Sequence, residues 1–248
     1  MTTSSGSPLR VALVAFAKPA ASKIRTSIDA VHAEWSNLPV GAVVTCRHDI
    51  VVSSGSTYAI HPVACSVVPP CAPDLLVVDS HGHVAGHRKG NQEYFLSAYM
   101  REPHPGVAVL NALAAWATPT PRALVIGSCE AGSRSGRRAA ESVFGCLPYL
   151  ACGGTSHEWQ GPALYGALLR DLANRQPASP MDWRDAFDRA LAHAEHLTTP
   201  RPNDWGNGVT DPLLHDLLLR ARGLSPSRDL KLRHALWRSW SATLAPDA

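Results

Sequence analysis

The sequence predicts an α/β fold: a mainly parallel sheet with helices on both faces. Five short aliphatic runs read as strands buried on both sides, and segments with apolar residues every three or four positions separate them. No internal repeat or composition break divides the chain.

The first strand is RVALVAF (Arg10–Phe16), and GAVVTC (Gly41–Cys46) gives the second. Between them, Ile24, Ile28, Val31, Trp35 and Leu38 lie on one helical stripe. Residues Thr45–Pro73 are less regular and suggest a hairpin or extended insertion. DLLVVDS (Asp74–Ser80) is the third strand and RALVIGS (Arg122–Ser128) the fourth, with a helix over Val107–Trp116 between them. A helix around Arg137–Phe144 leads to the fifth strand, LPYLACGG (Leu147–Gly154). Helices are then expected over Trp159–Ala173 and Ser179–Leu197. The second opens with a capping-box pattern: Ser179 as cap, Pro180 at the first helical position and Asp182 three residues on. Thr198–Pro212 reads as a Pro/Gly/Asn-rich loop, followed by helices over Pro212–Ala221 and Leu230–Trp240.

At 248 residues and 45% hydrophobic, the chain can bury a full core. The net charge of +3 is mild and scattered, which argues against a nucleic-acid partner. No apolar window is long enough for a membrane span, and the polar N-terminus lacks a signal-peptide pattern, so residues 1–8 read as a frayed tail. The six cysteines form no CxxC pair and read as free thiols in a cytoplasmic protein. The Ala/Arg/Pro-rich composition fits a bacterial source. No Cys or acidic residue stands at zinc-ligand spacing from His81 and His83, so no metal or other cofactor is expected.

The chemistry gathers at two strand tips. In an open parallel sheet, ligands and catalytic groups collect at the carboxyl ends of the strands. DLLVVDSHGH delivers His81, and ALVIGSCEAG delivers Cys129, on consecutive strands expected to be neighbours. A thiol and an imidazole so placed suit nucleophile and base. Gly82 leaves room for a substrate carbonyl, and its N–H and that of Cys129 suit an oxyanion hole. Gly127 and Gly132 permit the turn that exposes the cysteine.

These residues resemble the caspase-like cysteine peptidases. Ser-His-Gly after an aliphatic strand resembles the caspase histidine motif, and VIGSCEAG resembles the Ser-Ala-Cys-Glu-Thr-Gly motif of CHAT-domain proteases. The separation of 48 residues from His81 to Cys129 agrees with the caspase spacing of roughly 50. The resemblance covers roughly Leu9–His196, and only the two catalytic motifs are specific. It implies a caspase-haemoglobinase-like three-layer sandwich, with residues 9–248 as one CHAT-type domain and a C-terminal helical extension. It implies Cys129 as nucleophile, His81 as general acid/base, Gly82 and Cys129 as oxyanion-hole donors, and a protein substrate. A regulated effector role, as in defence or cell death, with an activating partner protein or small-molecule signal, is a family expectation. Relatives that cleave after Arg or Lys carry an Asp two positions before the cysteine. Here that position is Gly127, which leaves Asp79, Glu130 and Lys18 as further substrate-binding candidates.

Two other readings stand. GSCEA is a variant nucleophile elbow of α/β-hydrolases or amidotransferases, which needs a later base such as His193, His196 or His215 and leaves Ser-His-Gly unexplained. The other is a non-catalytic caspase-like interaction or ligand-sensing module.

Overall fold

The structure, a computed structural model, describes residues 7–17, 23–36, 43–53, 57–65, 72–86, 92–98, 102–156, 160–198 and 237–243. In chain order, strand β1 (Leu9–Phe16) leads through helix α1 (Lys23–Ser36) to the hairpin of β2 (Val43–Ser53) and β3 (Thr57–Cys65). Strand β4 (Leu75–Ala85), strands β5 (Glu93–Ser97) and β6 (Pro103–Pro105), and helix α2 (Gly106–Trp116) follow. Then come β7 (Ala123–Ile126), α3 (Arg134–Phe144), β8 (Tyr149–Cys152), α4 (Gln160–Asn174), α5 (Pro180–Thr198) and β9 (Trp240–Thr243).

The main sheet runs β3-β2-β1-β4-β7-β8-β9. The five expected strands form its parallel centre, in the order β2-β1-β4-β7-β8. Strands β3 and β9 close the edges antiparallel. Side-chain alternation builds a core on each face. Leu9, Val11, Leu13 and Ala15 of β1 pack with α1, α4 and α5, whereas Ala12, Val14 and Phe16 pack with α2 and α3. The fold is therefore a three-layer α/β sandwich with a mostly parallel sheet.

The α1 stripe of Ile24, Ile28, Val31 and Trp35 is buried as its spacing predicts, and Leu38 lies outside the described residues. The capping box of α5 is present: Ser179 Oγ accepts from the Asp182 N–H at 3.2 Å, and Asp182 Oδ2 accepts from the Ser179 N–H at 2.8 Å. Trp183 and Phe187 anchor that helix, at 1% and 0% exposure. Burial of each contributes about 1.5–3 kcal/mol.

Several boundaries differ from expectation. β2 continues to Ser53 because its polar residues are paired rather than exposed. Arg47 bonds Asp29 on α1 at 2.7 Å and Asp49 at 2.8 Å, and Asp49 also pairs with Arg25. The hairpin expected within Thr45–Pro73 is the β2–β3 pair. Helix α3 begins one turn early, where Ser133 Oγ accepts from the Gly136 N–H at 3.1 Å. Trp240, expected to end a helix, instead starts β9, which pairs with β8. Most of Thr198–Pro212 and all of Pro212–Ala221 lie outside the described residues. No described helix is long and apolar enough to cross a membrane.

Candidate active site

The strand that carries His81 does not stop at Ser80. Residues Leu75–Val78 of β4 pair with β7, and His81–Ala85 pair antiparallel with β5. β7 ends at Ile126, and the Gly127 N–H closes the pairing on the Val78 carbonyl at 2.8 Å. Beyond that point the turn carrying Cys129 faces the outer half of β4.

In a strand, N–H and C=O groups two residues apart point to the same edge. The Val78 carbonyl points toward β7, and the Val84 N–H donates to Glu130 Oε2 at 2.6 Å. By the same alternation the Gly82 N–H lies on that edge. The two backbones touch there: a Cβ at Gly82 would stand 2.6 Å from the Cys129 carbonyl oxygen and 2.9 Å from Ser128 Cβ. Only glycine permits this approach.

The turn is tied on all sides. The Glu130 N–H donates to the Gly154 carbonyl at 2.7 Å, and the Gly132 N–H to the Cys152 carbonyl at 2.7 Å. Arg137 Nε bonds the Gly132 carbonyl at 2.9 Å, Tyr149 Oη bonds the Ala131 carbonyl at 2.9 Å, and Ser128 Oγ meets Tyr94 Oη of β5. The Cys129 thiol is half-buried. It accepts from the Ser156 N–H at 3.2 Å, and the Ser156 carbonyl lies 3.6 Å away. Burial pushes the thiol above its usual value, the Ser156 N–H opposes this, and the negative charges of Glu130 and Asp79 add to the rise. The thiol is therefore protonated at neutral pH and needs a base to become a nucleophile.

Strand alternation puts His81 on the face that carries Asp79, toward α4. His81 itself is half-buried. His83 stacks on Phe95 of β5, with ring centroids 5.3 Å apart and planes at 14°. Asp79 is buried between two glycines: a Cβ at Gly127 would stand 3.2 Å from Asp79 Oδ1 and only 1.7 Å from Tyr165 Oη, and one at Gly161 3.0 Å from Asp79 Oδ2. Burial pushes the Asp79 carboxyl up to about 7, and contact with the Tyr165 hydroxyl offsets part of that rise. The space that a side chain at position 127 would occupy is thus taken by Tyr165.

No protein-family model and no curated protein sequence matches the chain. Solved structures similar to it include three C11 cysteine proteases. A secreted C11 cysteine protease from Bacteroides thetaiotaomicron, iotapain, is 7% identical with a TM-score of 0.41, the match covering 73% of this chain and 61% of that one. A C11 protease from the same organism, in complex with an irreversible peptide inhibitor, is 10% identical with a TM-score of 0.44, covering 78% and 61%. An inactive zymogen C11 protease from Parabacteroides distasonis is 10% identical with a TM-score of 0.39, covering 98% and 86%. The chain thus spans about 61% of the length of the first two.

Of the expected site residues, the structure brings Gly82, Cys129 and Glu130 into direct contact across the β4–turn seam, with His81 beside Gly82. Asp79 and Gly127 form the buried wall behind them, and Lys18 lies outside the described residues. The candidate bases His193 and His196 lie on the exposed side of α5, and His215 is outside the described residues. Among the described residues, no group of three or more His, Cys, Asp or Glu is placed to hold a metal ion. Sequence reasoning missed Ser156, Tyr94 and Tyr165. Ser156 follows the Gly-Gly tip of the β8 strand, a signal that could have marked it as site-facing. The two tyrosines carry no such signal.

Proposed function

We propose that the chain is a cysteine endopeptidase of the caspase-like type, with Cys129 as nucleophile and His81 as general acid/base. What carries this reading is the seam itself: a half-buried cysteine on a braced turn whose carbonyl touches Gly82, the residue after His81. The thiol is protonated at rest, so His81 takes its proton as sulfur attacks the carbonyl carbon of the scissile bond. The N–H groups of Gly82 and Cys129 stabilise the oxyanion. The C–N bond breaks, and His81 gives its proton to the departing amine. A water molecule, deprotonated by His81, then attacks the thioester, releasing the acid and restoring the thiol. Asp79 and Gly127 belong to the wall that the substrate side chain before the scissile bond would meet, with Lys18 after β1. The substrate is a protein, and a regulated bacterial effector role in the cytoplasm, triggered by a partner protein or small-molecule signal, completes the proposal.

A peptide-library cleavage profile of wild type against Cys129→Ala and His81→Ala tests it. Both substitutions are expected to remove cleavage. Activity that survives His81→Ala points instead to a hydrolase- or amidotransferase-type site with a later base. The absence of any Cys129-dependent cleavage or labelling by a peptide electrophile points to a non-catalytic module.

A further inference from the structure

The Glu130 side chain has a job that the dyad alone does not explain. Beyond Val78, β4 has lost β7 as a partner, and its outer half is held on the other side by the short ribbon of β5 and β6. His81 stands at the root of this half. The Ser128–Tyr94 contact ties the cysteine turn to β5, one strand removed from His81. On the outer half of β4, the Val84 N–H donates to Glu130 Oε2 at 2.6 Å and ties the turn to that strand directly.

The backbone of Glu130 adds a second, independent observation. Its φ is +58°, in the left-handed region. A residue with a Cβ costs about 1 kcal/mol there relative to glycine. A turn selected only for its shape would carry glycine at this position. The residue present is instead one whose carboxylate reaches back to the neighbouring strand.

We propose that Glu130 is a positioning residue: its carboxylate, seated on the Val84 N–H, holds the His81 strand at a fixed register against the Cys129 turn. The proposal rests on the reading of His81 and Cys129 as a dyad. It gives Glu130 a role distinct from substrate recognition, exerted through the backbone of β4.

The test measures alkylation of Cys129 by iodoacetamide across pH, followed by mass spectrometry of the Cys129 peptide, in wild type, His81→Ala, Glu130→Ala and Glu130→Gln. Glutamine keeps an oxygen acceptor for the Val84 N–H and removes the charge. Alanine removes both. The part of the rate that depends on His81 is expected to fall by about tenfold or more in Glu130→Ala, as expected for a catalytic pair displaced by a fraction of an ångström. Glu130→Gln is expected to keep most of that part, with the pH midpoint of alkylation moved down because a negative charge near the thiol is gone. Hydrogen exchange at the Val84 amide should speed up in Glu130→Ala and stay protected in Glu130→Gln.

Equal alkylation in Glu130→Ala and Glu130→Gln, while His81→Ala is slow, would overturn the positioning role and leave the dyad intact. Unchanged Val84 exchange in Glu130→Ala would do the same. If His81→Ala alkylates as fast as wild type, the dyad reading fails and the positioning role falls with it. A lower Tm in Glu130→Ala with an unaltered His81-dependent rate would mark the contact as structural only, and would also overturn the proposal.

Discussion

Asp79→Asn is expected to change how stability depends on pH, in a direction fixed by the burial of the carboxyl. Asp79 titrates at about 7 in the fold against an ordinary value of 3.8. Between these values the folded state binds a proton that the unfolded state has lost, so stability falls as pH rises, then levels off above 7. The rise from 3.8 to about 7, at about 1.36 kcal/mol per pH unit, makes the loss about 4 kcal/mol. Net stabilities are about 5–15 kcal/mol, so this is a large fraction. His48 pulls the other way: burial lowers it from 6.5 to about 4, and the stability linked to it is lost as pH falls through that window. In wild type the two slopes oppose each other below 6.5. In Asp79→Asn the falling slope is gone, and the histidines that burial lowers, His48 together with His32 and His193, make stability rise from pH 4 to 6.5 and then level off. Urea unfolding with reductant present, from pH 4 to 8.5, reads this as a gap between the two proteins that widens by about 4 kcal/mol, or about 2 M in midpoint at an m-value near 2 kcal/mol/M. Parallel curves for the two proteins would refute the buried-acid account of Asp79.

Gly127→Ala is expected to destabilise the fold by about 1–3 kcal/mol, because its Cβ meets the Tyr165 hydroxyl. Tyr165→Phe removes the colliding oxygen, so the double variant should recover part of the loss in thermal unfolding. Gly82→Ala is expected to cost a similar amount and to abolish Cys129-dependent cleavage even in the folded fraction. Its Cβ would push on the Cys129 carbonyl, a backbone atom that cannot swing away. Intact activity in Gly82→Ala would mean that the seam is looser than described.

The parallel centre of the fold was legible because strands buried on both faces read as unbroken aliphatic runs, and those runs survive in β1, β4, β7 and β8. What escaped notice was held by partners far away in sequence. Arg47-His48-Asp49 lies past the expected end of β2 at Cys46, yet Arg47 is 1% exposed, because Asp29 and Asp49 meet its charge. No periodicity announces such a pairing. β9 is an edge strand whose existence depends on β8 rather than on its own composition. The outer half of β4 was hidden by its polar Ser-His-Gly-His sequence, which reads as the end of a strand.

That misreading bears on the chemistry. A strand end would leave His81 on a loop, free to adopt many positions. The structure makes it part of a strand paired on one edge only, beside a turn that stops where β7 stops. Backbone groups on the other edge must find partners or remain available. The Val84 N–H is satisfied by Glu130, and Gly82, two residues earlier, has its N–H on the same edge and its Cα against the turn of Cys129. β7 ends before this stretch, and the glycine at position 82 lets the cysteine turn come within contact of β4. A His-Gly pair on a half-paired strand and a cysteine past the end of the shorter neighbour are two consequences of one difference in strand length.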